Sequence, residues 1–233
     1  PGPRGPASSP TSPKGSPVPD HTDLQLALRA RLLTLSVCTT GVMTLEATLS
    51  GYQRASGSFL VDGFAVGMEV TPVGFSDSDR SVITSVSATV MTVDDPRTVD
   101  APAGSRSLTV GLPELRAWDN TTLSPVAGKP YIEETFVPAT ASLLSSPLTG
   151  GVVEDTGLYI IRWYGKANTG LAALGDAVSA VLELFKPGTA LTVADGTLRV
   201  RGDLGPWRGQ MMADMPGWTV IVITIPWRLY SAN

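Results

Sequence analysis

Between residues 40 and 112 the chain never runs far before a turn residue interrupts it. This rhythm constrains the fold more than any other feature. The strand-like runs are Thr44 to Ser50, Met68 to Val73, Ser81 to Val86, Thr89 to Val93 and Ser107 to Val110. Gly51, Gly57, Gly63, Gly67, Gly74 and the Asp77 to Asp79 cluster separate them, and Asp94, Asp95 and Pro96 read as a further turn. Several short strands at this spacing predict a small barrel or sandwich. Residues 39–112 are therefore expected to form an inserted all-β module.

The flanking sequence has a different texture. Residues 1–20 are rich in Pro, Gly and Ser and read as a flexible or polyproline-type arm. Such an arm is a candidate interaction element that orders on docking. A helix is expected from about Thr22 to Leu35, capped by Asp20 or Thr22, with Leu24, Ala27, Leu28, Leu32 and Leu35 on one apolar stripe. Arg29 and Arg31 fall off that stripe. After residue 112, Tyr131 to Val137 and Gly157 to Tyr164 read as strands, with Ser142 to Glu154 a polar loop between them. Leu171, Leu174, Val178, Leu182 and Phe185 mark a second helix, ended by Lys186, Pro187 and Gly188. Burying five such side chains contributes about 10 kcal/mol before entropy, so this helix belongs to a core. Thr189 to Val193 and Thr197 to Arg201 suggest a hairpin turning on Asp195-Gly196, and Trp218 to Leu229 a final strand. The expected class is α+β: residues 21–38 and 113–233 form one antiparallel sheet with helices packed on one face, and the β module is inserted between them.

The residue inventory excludes most chemistry. His21 is the single histidine and Cys38 the single cysteine. They cannot supply a zinc site, and a nucleophile would have only His21, at a helix start, as its base. No phosphate-cradling loop or dinucleotide fingerprint is present. Glu133 and Glu134 are adjacent on a strand and so face opposite sides. Asp77 and Asp79 share a parity, but no Gly and Glu follow at calcium-loop spacing, so a solvated turn is the better reading. No catalytic residue, cofactor or metal site is expected. The net charge of -4 argues against a duplex-gripping protein. No apolar run reaches the roughly 18 residues of a membrane span, and no secretory signal is evident. The five tryptophans read as packing or subunit-contact residues rather than as an exposed stacking platform. Only 16% of residues are charged. A surface so poor in charge points to a subunit covered within an assembly.

From Leu115 to Arg228 the sequence resembles the lambda-type tail terminator family of long-tailed phages. The resemblance rests on Ala117-Trp118-Asp119-Asn120 with Pro125 and Pro130-Tyr131-Ile132, and on Gly157-Leu158-Tyr159. It continues through the Gly170 to Phe185 helix with its Pro-Gly exit, and Gly217-Trp218 leading to Pro226-Trp227-Arg228. The helix at 22–35 is similar to the family's N-terminal helix. Gly57-Ser58-Phe59 through Gly63-Phe64 and Gly67 resemble small β modules of other phage structural proteins. The resemblance implies a non-enzymatic virion protein, assembled in the host cytoplasm. It implies a self-associated ring, typically of six subunits, at the head-proximal end of the tail. Its partners would be the major tail tube protein and a head-closure or connector protein, with double-stranded DNA passing through the lumen and no membrane involved. Trp118, Asp119, Asn120, Tyr131, Trp163, Trp218, Trp227 and Arg228 are then the candidate interface residues. The competing readings are a tube or head-closure subunit, and a virion binding protein whose β module recognises a receptor.

Overall fold

The computed structural model describes residues 21–119, 121–139, 142–143, 152–167, 172–213 and 216–232. The N-terminal arm, Asn120, Leu171 and most of the expected 142–154 loop lie outside these residues. The first helix, α1 (His21–Leu32), is followed by β1 (Cys38–Thr39), β2 (Met43–Thr48), β3 (Gly51–Arg54), β4 (Glu69–Val73), β5 (Ser81–Val86), β6 (Val90–Val93) and β7 (Asp100–Val110). Then come β8 (Leu115–Ala117), β9 (Tyr131–Pro138), β10 (Ser142–Leu143) and β11 (Val152–Lys166). The chain continues through α2 (Ala172–Leu184), β12 (Ala190–Val193), β13 (Gly196–Val200), β14 (Trp207–Ala213) and β15 (Trp218–Ala232).

Strands β7, β2, β3, β6, β5 and β4 pair in that order, and β4 pairs back onto β7, closing a six-stranded barrel. β1 and β2 run in succession along one edge of β7, from Cys38↔Val110 through Met43↔Arg106 to Ala47↔Asp100, as one strand broken by bulges. Closure needs such bulges, because they bend a strand and raise its local twist. Leu45, Tyr52, Phe59, Phe64, Val70, Ile83, Met91 and Leu108 fill the interior. Arg106 ties the barrel seam, donating to the carbonyls of Leu45 (3.0 Å), Ala101 (2.5 Å) and Gly74 (3.1 Å).

The remaining strands form an eight-stranded sheet curved into a half-barrel. Its spine is β11 against β15, in unbroken antiparallel register from Val152↔Ala232 to Lys166↔Trp218. Period-two alternation sends Tyr159, Ile161 and Trp163 of β11 and Ile221, Ile223, Ile225, Trp227 and Leu229 of β15 to one face. Leu24, Leu28 and Leu32 of α1 and Leu174, Val178, Val181 and Phe185 of α2 join them in one core. The Arg31 guanidinium lies 3.3–3.4 Å from the Leu184 carbonyl at the end of α2. A cation there satisfies an orphan carbonyl and complements the negative end of the helix dipole.

The α+β expectation is corrected. The protein is mostly β, 49% strand against 13% helix, with a closed barrel and a half-barrel instead of helices laid on one antiparallel sheet. Two helices of 12 and 13 residues cannot cover strands of 15 residues, so the sheet curls instead. The half-barrel is also not wholly antiparallel, since β8 pairs parallel with β9. Strands β1, β3, β8, β10 and β14 have no counterpart in the sequence reading; β10 and the start of β11 pair within the stretch expected as a loop, and β11 begins five residues before the expected strand. The hairpin turn shifts by one: Val193 pairs with Gly196, so Ala194 and Asp195 make the two-residue loop. Gly196 has φ +145°, and a Cβ on it would meet the Tyr230 carbonyl oxygen at 2.8 Å.

Candidate functional site

Three features of the half-barrel can carry a function. The first is a clasp that holds α1 against β8 and β9. Tyr159 and Glu134 are diagonal neighbours across the β9–β11 ladder, since Ile161 pairs with Glu134. The Tyr159 hydroxyl donates to the Glu134 carboxylate, and the Arg29 guanidinium lies 3.4 Å from the same oxygen. Arg29 in turn stacks over the Trp118 ring, 4.4 Å from its centroid. Asp119 completes the clasp by accepting from the Gln25 side chain at 3.1 Å and from the Phe136 backbone N–H at 2.9 Å. That second bond caps a strand edge where β8 has ended, so the edge is blunted by a carboxylate. Burial pushes the Glu134 carboxyl above its ordinary range, with Tyr159 and Arg29 opposing it. Burial and the adjacent Glu134 charge push the Tyr159 hydroxyl well up.

A cleft of about 250 Å³ between the barrel and the half-barrel is the second feature. Val37, Met68, Val110, Pro113, Pro130, Trp163, Leu174 and Ala177 give it an apolar lining, with Glu69 and Lys166 as its charged members. Glu69 is 5% exposed. One of its oxygens accepts from the Glu114 N–H at 2.7 Å and lies 3.4 Å from Arg80, while the other has no hydrogen-bond partner among the described residues. Burial raises its carboxyl above the ordinary range, partly offset by Glu114 N–H and Arg80.

The third feature is the rim of the sheet. Among the described residues β14 pairs with β15 alone, β12 with β13 alone and β8 with β9 alone, so each leaves one edge open. Trp207 and Met212 on β14 are 43% and 52% exposed. An open edge flanked by exposed apolar side chains is a template for pairing with another chain.

The candidate interface residues fall into two sets. Tyr131, Trp163 and Trp227 are buried: Tyr131 stacks on Tyr164 at 4.2 Å, and Trp227 stacks on Phe136 at 5.2 Å. Only Trp163 of these three borders the cleft. Trp118, Asp119, Trp218 and Arg228 are half-buried and keep surface to offer. Trp218 sits edge-on to Tyr131 at 5.0 Å, and the Arg228 guanidinium lies 5.3 Å from the Tyr230 ring. Asn120 lies outside the described residues. Sequence places Arg29 only off the apolar stripe and Glu134 only opposite Glu133, and it gives no role to Glu69. The available signal was strand parity, which puts Glu134 on the face of Tyr159 and Glu133 on that of Tyr164, to whose hydroxyl it is bonded at 3.0 Å.

A turn carboxylate and the cysteine of the barrel are engaged within the fold. Asp77 lies 3.2 Å from the buried Arg97 guanidinium, so that turn carboxylate is engaged by a side chain of the barrel. Among the described residues no group of three or more His, Cys, Asp or Glu side chains could hold a metal ion. Cys38 is buried, and desolvation, with lesser contributions from Asp176 and Asp62, pushes its thiol up to about 12. It therefore stays protonated and packs as a small apolar side chain. No helix among the described residues is long and apolar enough to cross a membrane.

Comparison with known proteins bears on the half-barrel. A family described as "Phage tail terminator protein" matches residues 106–227, which span the end of β7 through most of β15. Among curated proteins no sequence matches significantly. One solved structure is similar over 53% of this chain and 80% of its own, at 20% identity and a TM-score of 0.40, too loose a likeness to support an argument.

Proposed function

Because the chain belongs to the phage tail terminator family, we propose that it forms a closed ring capping the tail tube at its head-proximal end. The family is a structural one of the virion tail, whose members associate with other tail components. The finer reading assigns the tube-facing side of a six-membered ring to the major tail protein and the opposite side to a head-closure or connector protein. Ring growth stops because the last head-to-tail contact returns to the first subunit.

The observation that carries this reading is that the half-barrel leaves dissimilar edges open on its two sides. A head-to-tail ring needs two different contact surfaces on each subunit. β14 offers an apolar-tipped edge on one side of the half-barrel, and β8 with the half-buried Trp118 a short edge on the other. Trp218 and Arg228 are proposed contacts at the rim. The barrel of residues 39–112 is proposed to be an insert outside the ring-forming half-barrel. The net charge of -4 suits a lumen through which DNA slides without sticking.

Light scattering with negative-stain imaging tests the ring directly. A single closed species with rotational symmetry is expected. Open filaments would instead make the protein a tube subunit, since heterologous contacts that do not close propagate.

A further inference from the structure

The charges of the chain are divided unevenly between its two halves. Residues 39–112 hold eight acids against four arginines. All four arginines are spent on acids of the barrel itself, at 2.5–3.7 Å. The surplus gathers where Arg97 fastens two turns together. The buried Arg97 guanidinium lies 3.2 Å from the Asp77 carboxylate and donates to the carbonyls of Asp79 (2.8 Å) and Asp95 (3.4 Å). Asp77, Asp79, Asp94 and Asp95 thereby form an acidic knob on the barrel, with Lys129 a more distant cation at 3.9 Å from Asp95. Asp79 and Asp95 are exposed, so the knob presents net negative charge to its surroundings.

The half-barrel carries the opposite feature. Arg199 of β13 and Arg228 of β15 stand directly opposite each other in the antiparallel register. Both lie on the face away from the helices, because Leu198, Val200, Trp227 and Leu229 alternate with them into the core. Like charges so placed destabilise a sheet unless something offsets them. Neither arginine forms an ion pair among the described residues, and Arg201, next on the same face, is occupied by Asp203 at 3.1 Å. Arg199 is exposed, and Arg228 is half-buried beside the Tyr230 ring. A carboxylate from outside completes such a pair through charge-assisted hydrogen bonds.

We propose that the acidic knob of one copy docks on the Arg199–Arg228 pair of the next. A copy's own knob is out of reach. It abuts Lys129, beside the rung where Tyr131 pairs with Tyr164, whereas Arg228 pairs with Thr156, eight residues further along β11, or about 26 Å. The two charged surfaces therefore lie toward opposite ends of the half-barrel, as a head-to-tail contact requires. The barrel then acts as an outer clasp across the subunit boundary. A DNA phosphate is the poorer occupant, because two cations on a chain of net charge -4 neutralise few phosphates.

This contact rests on the association of copies proposed above and specifies one part of it. Sedimentation velocity of the full-length chain over a range of concentrations tests it. Arg199→Glu combined with Arg228→Glu is expected to weaken association about tenfold or more, and so is Asp79→Lys combined with Asp95→Lys. A chain carrying all four substitutions exchanges the charges across the contact, and should return to within about threefold of the wild type. Circular dichroism confirms the fold of each variant. Arg199→Glu alone, at an exposed position, carries the same test if Arg228 tolerates no change. Association indifferent to both double substitutions, or no better with all four than with either pair, overturns the contact and leaves the ring standing. A wild type that stays monomeric throughout overturns both. A double-arginine variant that assembles normally but no longer retains duplex DNA assigns the pair to phosphate and likewise overturns the contact.

Discussion

Gly157 is the position where the half-barrel tolerates least, and replacing it with alanine tests the packing directly. A Cβ there would lie 2.3 Å from Cζ2 and 2.7 Å from Cε2 of Trp227, and 2.6 Å from the Val137 carbonyl oxygen. Ordinary contact begins at 3.4 Å, so the clash is about an ångström deep on two sides. The indole cannot retreat, because Trp227 is fully buried and stacked on Phe136 with a 7° interplanar angle. Neither can the carbonyl, which belongs to β9, the strand paired with β11. Overpacking of this kind costs about 1–3 kcal/mol, and a double clash against rigid groups lies at the upper end. For a chain of this size about 3 kcal/mol lowers Tm by roughly 6–12 °C. Differential scanning calorimetry reads the shift, with two glycines as controls. In Gly165→Ala, in the same strand, the Cβ meets only Leu174 at 3.7 Å. In Gly175→Ala, in α2, it meets nothing within 4 Å, and helix propensity predicts a gain of about 0.5–1 kcal/mol. A Gly157→Ala protein melting with the wild type would refute the packing described around Trp227.

The clasp makes pH-dependent predictions. Burial raises the Glu134 carboxyl in the folded state, so the native protein binds that proton more tightly than the unfolded chain. Its contribution to stability is present below the ordinary carboxylate range and is lost as pH rises through the raised value. Urea titrations from pH 4 upward should show that decline, flattened in Glu134→Gln. Arg29→Met removes the cation from a buried carboxylate, and should cost about 3 kcal/mol at neutral pH and less in acid, where Glu134 takes up a proton. In the barrel, Arg106→Leu leaves three backbone carbonyls without their donor and should cost about 2–4 kcal/mol by chemical denaturation, with the half-barrel helices unaffected by hydrogen exchange.

Much of the local structure was legible, and the failures have causes. Both helices stood out because leucine and valine recur at helical spacing, and their observed spans lie within or close to the expected ones. The fold class was not legible. It depended on β14, whose Trp-Arg-Gly-Gln-Met-Met-Ala shows no alternation because much of it faces solvent, and on β8, only three residues long. In sequence Gly51 reads as a break between strands. It lies within β3, where φ is +152° and a Cβ would sit 2.0 Å from the Met91 carbonyl oxygen. A strand glycine needed for close approach and a turn glycine look the same in sequence. Arg29 falls off the apolar stripe, yet that position is what lets it reach both Glu134 and Trp118. Trp118 and Asp119 were found through family resemblance, whereas their partners required the sheet register. The cleft joins residues from Val37 to Thr219, a combination no spacing announces.

A protein that closes a ring and stops a tube, as proposed above, must seat on tube ends. The most direct measurement mixes it with purified tail tubes and images the ends by electron microscopy. A ring seated on one end of each tube, with no further tube growth when tube subunits are added, is expected. Tubes that lengthen through incorporation of this protein, or that carry it at neither end, would contradict the terminator role.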